Sequence, residues 1–215
     1  MYPECFPKHG HVVLDKLKNT VASERFVLAG GTALALQIGH RISEDLDFFT
    51  EKTFSTDKVF QKIKRAGLAP AILQEEEGTL VLTVNNTKVS FFRYTYPFIE
   101  EKTPFCGIHL ANVIDIASMK VIAISQRGAK RDFIDLYSIL RSIPFWKIAE
   151  NMAARFGHDR INPVNIGKSL VYFNDAEEDP EPRYSGKVKP EWKAVKKFFT
   201  GHVRQMVLDM EAGRG

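Results

Sequence analysis

Cysteine is scarce in this chain. Only Cys5 and Cys106 occur, which gives neither a disulfide framework nor a zinc site. The expected setting is a reducing one, the cytoplasm. No basic-then-apolar segment opens the chain as a signal peptide would. Long hydrophobic runs are missing too: none approaches the ~20 residues needed to span a bilayer, so no membrane role is expected. There is no Gly-x-x-x-x-Gly-Lys-Ser/Thr segment, which excludes a P-loop ATPase, and the glycines do not follow the Gly-x-Gly-x-x-Gly of dinucleotide binders. Neither cysteine sits in an arrangement that suggests a nucleophile, and Ser90 has no elbow context. No repeat or low-complexity tract is visible. Charge of one sign is not in large excess. The formal net charge is +4, which permits an anionic partner without demanding one.

What is present is 215 residues, enough for a sizeable domain with its own core. Residues 9 to 22 place Val12, Val13, Leu17 and Val21 on a helical period. "RFVLAG" reads as a short buried strand. "GTALALQIGH" reads as a helix that starts at Gly30–Gly31 and closes at Gly39. "DLDFFT" is the next strand. A helix follows from an N-cap at Ser55 to a stop at Gly67, with Val59, Phe60 and Ile63 facing in. Three β-type runs come next, "APAILQEE", "TLVLTVNN" and "TKVSFFRYTY". Asn85–Asn86 suits a tight hairpin turn between the last two, because Asn tolerates positive φ.

After Asn112 the pattern is helical, with "VIDIASMKVIAISQR" ending near Gly128 and "KRDFIDLYSILRSI" following. Two further helices are expected, one from Pro144 and one over "NPVNIGKSLVYFND". Residues 175 to 190 hold five acidic residues and three prolines and read as a connector without regular packing. The final helix carries Trp192, Val195, Phe199, Val203, Met206 and Met210 near one face, with Lys193, Lys197 and Arg204 roughly opposite. The expected architecture is an α/β (α+β) core with a mixed sheet over residues 1–111. A helical region over 112–215 follows, packed on that core with a loop near 175–190.

The chemistry concentrates in "LAGGTALALQIGHRISEDLDFFT". Side chains alternate along a strand, so Asp45 and Asp47 point the same way. Two carboxylates that close repel each other unless a cation lies between them. Magnesium, or manganese, satisfies such a pair while taking its other ligands from water and phosphate. Gly30 and Gly31 let backbone approach a ligand closely, and N–H groups at the following helix start favour an anion. Thr32 adds a hydroxyl donor. Arg41 and Ser43 sit just ahead of the aspartates, where Arg41 could contact phosphate. His40 suits a capping or solvent-facing role better than a ligand. Alone, a Gly-Gly pair is an ordinary turn and an Asp-x-Asp an ordinary exposed edge. Together, in strand–helix–strand order, they describe a site for a nucleoside triphosphate (NTP) with its metal.

The spacing of "LAGG" and "DLDF", thirteen residues apart, resembles the signature of the DNA polymerase beta-like nucleotidyltransferase superfamily. Within it, the stretch is similar to the AbiEii/AbiGii-toxin type. A second block, "IASMKVIAISQRGAKRDFIDLYSIL", resembles that family's second conserved block at Met119–Lys120, Arg127–Gly128, Arg131–Asp132 and Asp135–Leu136–Tyr137. The resemblance implies a nucleotidyltransferase sheet and metal-dependent transfer of NMP from an NTP. The implied acceptor is an RNA such as tRNA, or a protein. It also implies the toxin role in a toxin–antitoxin or phage-defence pair, with an antitoxin partner.

For single residues, the resemblance implies that Lys120 contacts nucleotide phosphate. Read from its apolar helix alone, Lys120 either snorkels or meets an anion. The resemblance also makes Asp132 a functional acid, acting as a base or supporting metal, while Asp135 shares that role or holds Arg131. One departure stands out. Many superfamily members carry a third carboxylate on a neighbouring strand, and "TKVSFFRY" has Ser90 at that point. Either Asp132 or Asp135 supplies the third acid, or the chain is a degenerate nucleotide-binding or partner-binding module on the same fold.

Overall fold

The computed structural model describes residues 1–186 and 189–212. The chain divides into two compact units. One comprises Met1–Pro97 with Glu101–Asn112, and the other Phe98–Glu100 with the chain from Val113 onward.

The first unit is built on a seven-stranded mixed sheet. Helix α1 (Lys8–Ser23) precedes β1 (Val27–Ala29), α2 (Gly30–Ile38), β2 (Leu46–Thr50) and α3 (Thr56–Arg65). Then come β3 (Ala71–Glu76), β4 (Thr79–Val84), β5 (Thr87–Arg93), β6 (Thr103–Phe105) and β7 (Ile108–Leu110). The strand order is β3-β4-β5-β2-β1-β7-β6. The β2/β5 and β1/β7 pairs are parallel, and the rest antiparallel. Leu28, Leu46, Phe48 and Phe91 are fully buried, and the Phe48 and Phe91 rings stack at 5.3 Å across the β2/β5 pair.

Local chemistry explains most boundaries. Ser55 caps α3 by accepting from the Lys58 amide. Gly39 closes α2 in the left-handed region at φ 70°. Asn85 and Asn86 both take positive φ, as the β4–β5 hairpin turn requires. Two expectations on this unit need correction. Val12 is 54% exposed, and Leu14 takes the inward place instead. The β6–β7 hairpin was not expected from sequence. Its turn uses positive φ at Cys106 and Gly107, and β7 extends the sheet by setting Leu110 beside Leu28. Pro104 is tolerated because β6 is an edge strand.

The second unit is helical: α4 (Val113–Arg127), α5 (Lys130–Leu140), α6 (Phe145–Phe156), α7 (Pro163–Leu170), α8 (Asn174–Glu178) and α9 (Trp192–Ala212). Val195, Phe199, Met206 and Met210 of α9 are buried, while Lys193, Lys197 and Arg204 are exposed. Gly167 of α7 lets α9 come close, since a Cβ there would lie 2.5 Å from Val207. The connector is more ordered than its composition suggests. It begins with α8, and Asp179 accepts from the Lys130 amide at 2.8 Å, satisfying a donor at the start of α5. Residues 187 and 188 of the connector lie outside the described residues.

A buried polar network binds Phe98–Glu100 into this unit. Asp115 accepts from the Glu100 amide (3.2 Å) and Asn151 Nδ2 (2.9 Å), and Arg155 donates to its carbonyl at 2.6 Å. The Arg155 guanidinium also lies over the Phe98 ring. Asp115→Ala would remove the carboxylate that lies 3.6 Å from the buried Arg155 guanidinium and accepts from Asn151 and the Glu100 amide. The variant should lose about 3–5 kcal/mol in urea unfolding, the usual cost of breaking a buried pair; a loss under about 1 kcal/mol would contradict this account.

Candidate nucleotide site

The turn between β1 and α2 is set by what surrounds its glycines. Gly30 has φ 68°, and a Cβ on it would lie 3.2 Å from Asp47 Oδ2. A Cβ on Gly31 would fall 2.4 Å from Arg41 Nη2 and 3.1 Å from Ser43 Oγ. A carboxylate and a guanidinium thus reach the backbone because both residues lack side chains. The N-cap residue of α2 is Ala29, whose side chain makes no capping hydrogen bond to the helix's first amides. Arg41 is 6% exposed. Its Nη1 donates to the Ile42 carbonyl at 3.1 Å, which fixes the guanidinium beside the glycine turn, where a helix N-terminus also favours an anion.

Thr32, expected as a donor to a ligand, is buried. Its hydroxyl meets Ser43 Oγ at 2.9 Å and the Asp45 carbonyl oxygen, so it fixes the loop that carries the aspartates.

Asp45 precedes β2 by one residue rather than lying within it, and Asp47 is in the strand. Both are half-buried, while Leu46 and Phe48 between and beyond them are fully buried. This alternation sends the aspartates to the opposite side from the core. Asp47 pairs with Ala29 on one side and Ser90 on the other. The neutral residue foreseen beside the pair is therefore there. Ser90 is 1% exposed and its Oγ has no hydrogen-bond partner.

Two carboxylates and an unsatisfied hydroxyl fit a hard divalent cation that takes its remaining ligands from phosphate and water. Asp45 and Asp47 would hold it. Among the described residues, no three His, Cys, Asp or Glu side chains gather as a metal cage.

The remaining expected residues gather in the second unit. Lys120 is 5% exposed. Its ammonium lies 2.7 Å from Asp132 and 2.6 Å from Asp135, so it does not snorkel: the anions it meets are the chain's own. Arg127 grips Asp132 with two donors, Nε at 2.8 Å and Nη2 at 3.1 Å. The guanidinium partner of Asp132 is thus Arg127, whereas Arg131 is exposed. Gly128 at φ 58° makes the turn between α4 and α5. Burial pushes the Asp132 carboxyl up, but Lys120 and Arg127 outweigh it and hold it below its ordinary value. Sequence reasoning matched Arg127 without giving it a role. Its signal was the Arg-Gly pair ahead of Asp132. An open cleft of about 240 Å³ beside Arg127 is lined by Ser125, Lys168, Tyr172 and Asp175 among others.

Gly30, Gly31, Thr32, Arg41, Ser43, Asp45 and Asp47 therefore meet within the first unit, and Lys120, Asp132 and Asp135 within the second. The profile of the family described as nucleotidyl transferase AbiEii toxin, type IV TA system, matches residues 12–101 and 91–207. The chain belongs to this family. An uncharacterized Aquifex aeolicus protein is 37% identical over 203 residues, covering 92% of this chain and 96% of that one. The fold is shared with JHP933 from Helicobacter pylori (TM-score 0.60, 19% identity, 94% and 92% of the two chains). It is shared also with MenT4, a nucleotidyltransferase toxin of Mycobacterium tuberculosis (TM-score 0.58, 15% identity, 96% and 89%).

The Asp132 ion pairs carry a pH signature. A carboxylate with a lowered folded-state pKa adds stability above its unfolded value, and that stability is lost as pH falls through the folded value. The window lies below about pH 4. Wild type should therefore melt higher than Asp132→Asn at pH 7, with the gap closing below about pH 4. Melting curves from pH 7 to 2.5 measure this. A gap independent of pH would contradict the assignment.

Proposed function

We propose that this AbiEii-family chain transfers a nucleoside monophosphate from an NTP to an acceptor hydroxyl, with a divalent cation, magnesium or manganese, held by Asp45 and Asp47. The observation that carries the reading is the meeting of the Gly30–Gly31 turn, buried Arg41 and Asp47 at one helix start. Such a site suits phosphate and a cation together. The α2 amides and Arg41 hold the triphosphate tail, while Thr32 and Ser43 keep the aspartate loop in place. When bound, the cation neutralises phosphate charge and polarises the α-phosphorus. The acceptor oxygen attacks that phosphorus, the α–β anhydride bond breaks, and pyrophosphate leaves.

For Lys120, Asp132 and Asp135, family membership carries the reading. Lys120 offsets phosphate charge, with its ammonium fixed by two carboxylates. Asp132 and Asp135, which both hold Lys120, are the two candidates to take the acceptor's proton.

The acceptor is proposed as an RNA, with tRNA first, because Lys193, Lys197 and Arg204 form an exposed basic line on α9 that could track phosphates. A protein hydroxyl is the alternative. The cellular role is proposed as the toxin of a toxin–antitoxin or phage-defence system in the cytoplasm, countered by an antitoxin. No described helix is long and apolar enough to cross a membrane. Ser90 beside Asp47 favours a second reading, a module that binds nucleotide without efficient transfer.

Thermal-shift titration with each NTP, with and without magnesium, tests the binding half without choosing an acceptor. A ligand specific to the native state raises the midpoint by mass action, by about 2.7 kcal/mol at a hundredfold excess over Kd. The expected result is a magnesium-dependent shift that disappears in Asp45→Asn/Asp47→Asn. An equal shift in the double variant would remove the aspartates from the site.

A further inference from the structure

Ser90 is a buried hydroxyl with nothing to bond. Its residue is 1% exposed, and its Oγ has no protein partner. An unsatisfied buried hydroxyl is costly, so such groups call for an explanation. Burial alone does not single it out, because Thr87 Oγ1 is also buried and unsatisfied. Thr87, however, starts β5 at the Asn85–Asn86 turn, opposite Val84. Ser90 lies in the middle of the strand, directly beside Asp47 in the parallel β2/β5 ladder. The same cross-strand row runs Val81, Ser90, Asp47, Ala29. Ser90 and Asp47 are its two polar members, and its last member adjoins the glycine turn.

Resting on the nucleotide-site reading above, we infer that Ser90 is a positioning residue for a preformed cation–NTP complex, and that this site takes the cation with the nucleotide rather than ahead of it. Asp45 and Asp47 supply two negative charges. A small divalent ion that sheds water reluctantly is held weakly by so few protein ligands. A cation already chelated by a triphosphate brings the missing oxygens with it. The neighbouring strand position then has a different task. A carboxylate there would strengthen the hold on a free cation but repel the incoming phosphates. A hydroxyl donates a hydrogen bond to an anionic oxygen or to a water on the complex, and adds no charge.

Manganese titrations followed by electron paramagnetic resonance test this, with and without each NTP, on wild type, Ser90→Ala and Ser90→Asp. Wild type should bind manganese at least tenfold more tightly when NTP is present. Ser90→Ala should weaken binding of the manganese–NTP complex three- to tenfold, while its ligand-free melting temperature stays equal or rises. Ser90→Asp should bind free manganese at least tenfold more tightly and the NTP complex less tightly. If Ser90→Asp does not fold, Ser90→Ala decides alone. Wild type holding free manganese as tightly as manganese–NTP would overturn the inference. So would Ser90→Ala matching wild type for the complex while Asp47→Asn abolishes it, and that outcome leaves the nucleotide-site reading standing. No effect of any NTP on manganese binding by wild type would remove both.

Discussion

A carboxylate can be pressed against a backbone turn only where the turn has no side chain. That constraint organises the first unit. Asp47 lies against Gly30, and Arg41 against Gly31, at distances a Cβ would violate or crowd. The glycines fix how closely β2 and its preceding loop approach the start of α2. The antiparallel β1/β2 pairing then sets Asp47 beside Ala29, one residue before the turn. From this follow the buried guanidinium and the half-buried aspartates. Thr32 locks the arrangement from inside by engaging Ser43 and the Asp45 carbonyl.

The second unit shows a different economy of charge. Its apolar helices enclose Asp115, Lys120, Asp132 and Arg155, each nearly or fully buried. None is left as a lone charge. Lys120 stands between two aspartates, Asp132 is also gripped by Arg127, and Asp115 meets Arg155, Asn151 and the Glu100 amide. Buried pairs of this kind add little net stability over apolar residues, but removing one partner is costly. The pairs therefore constrain geometry more than they stabilise it. The Asp115 cluster explains why a three-residue strap, Phe98–Glu100, belongs to the helical unit although the chain on both sides of it belongs to the sheet.

Much of this was readable from sequence because the signals are local. A Gly-Gly pair, an Asp-x-Asp and an Asn-Asn turn each act over two or three residues, and the structure places all three at element boundaries. Ser90 was visible as a neutral residue beside the acidic pair, though its burial and its unsatisfied hydroxyl were not. The β6–β7 hairpin escaped because three-residue strands are too short to show a period. The partners of Lys120 lie twelve and fifteen residues away across a turn, and Arg155 meets Asp115 from forty residues away. Pairings at that range depend on helix packing, which no periodicity encodes. The acidic connector misled for a related reason. Its charges look solvated in isolation, yet Asp179 serves the start of α5.

In the function proposed above, the glycine turn and the aspartate loop form one site for a cation–nucleotide complex. Amide hydrogen exchange tests it most directly, with segments 29–34 and 42–47 followed together. Magnesium with NTP should slow exchange in both segments at once, and neither component alone should reproduce the effect. Slowing in one segment without the other, or only elsewhere in the chain, would contradict it.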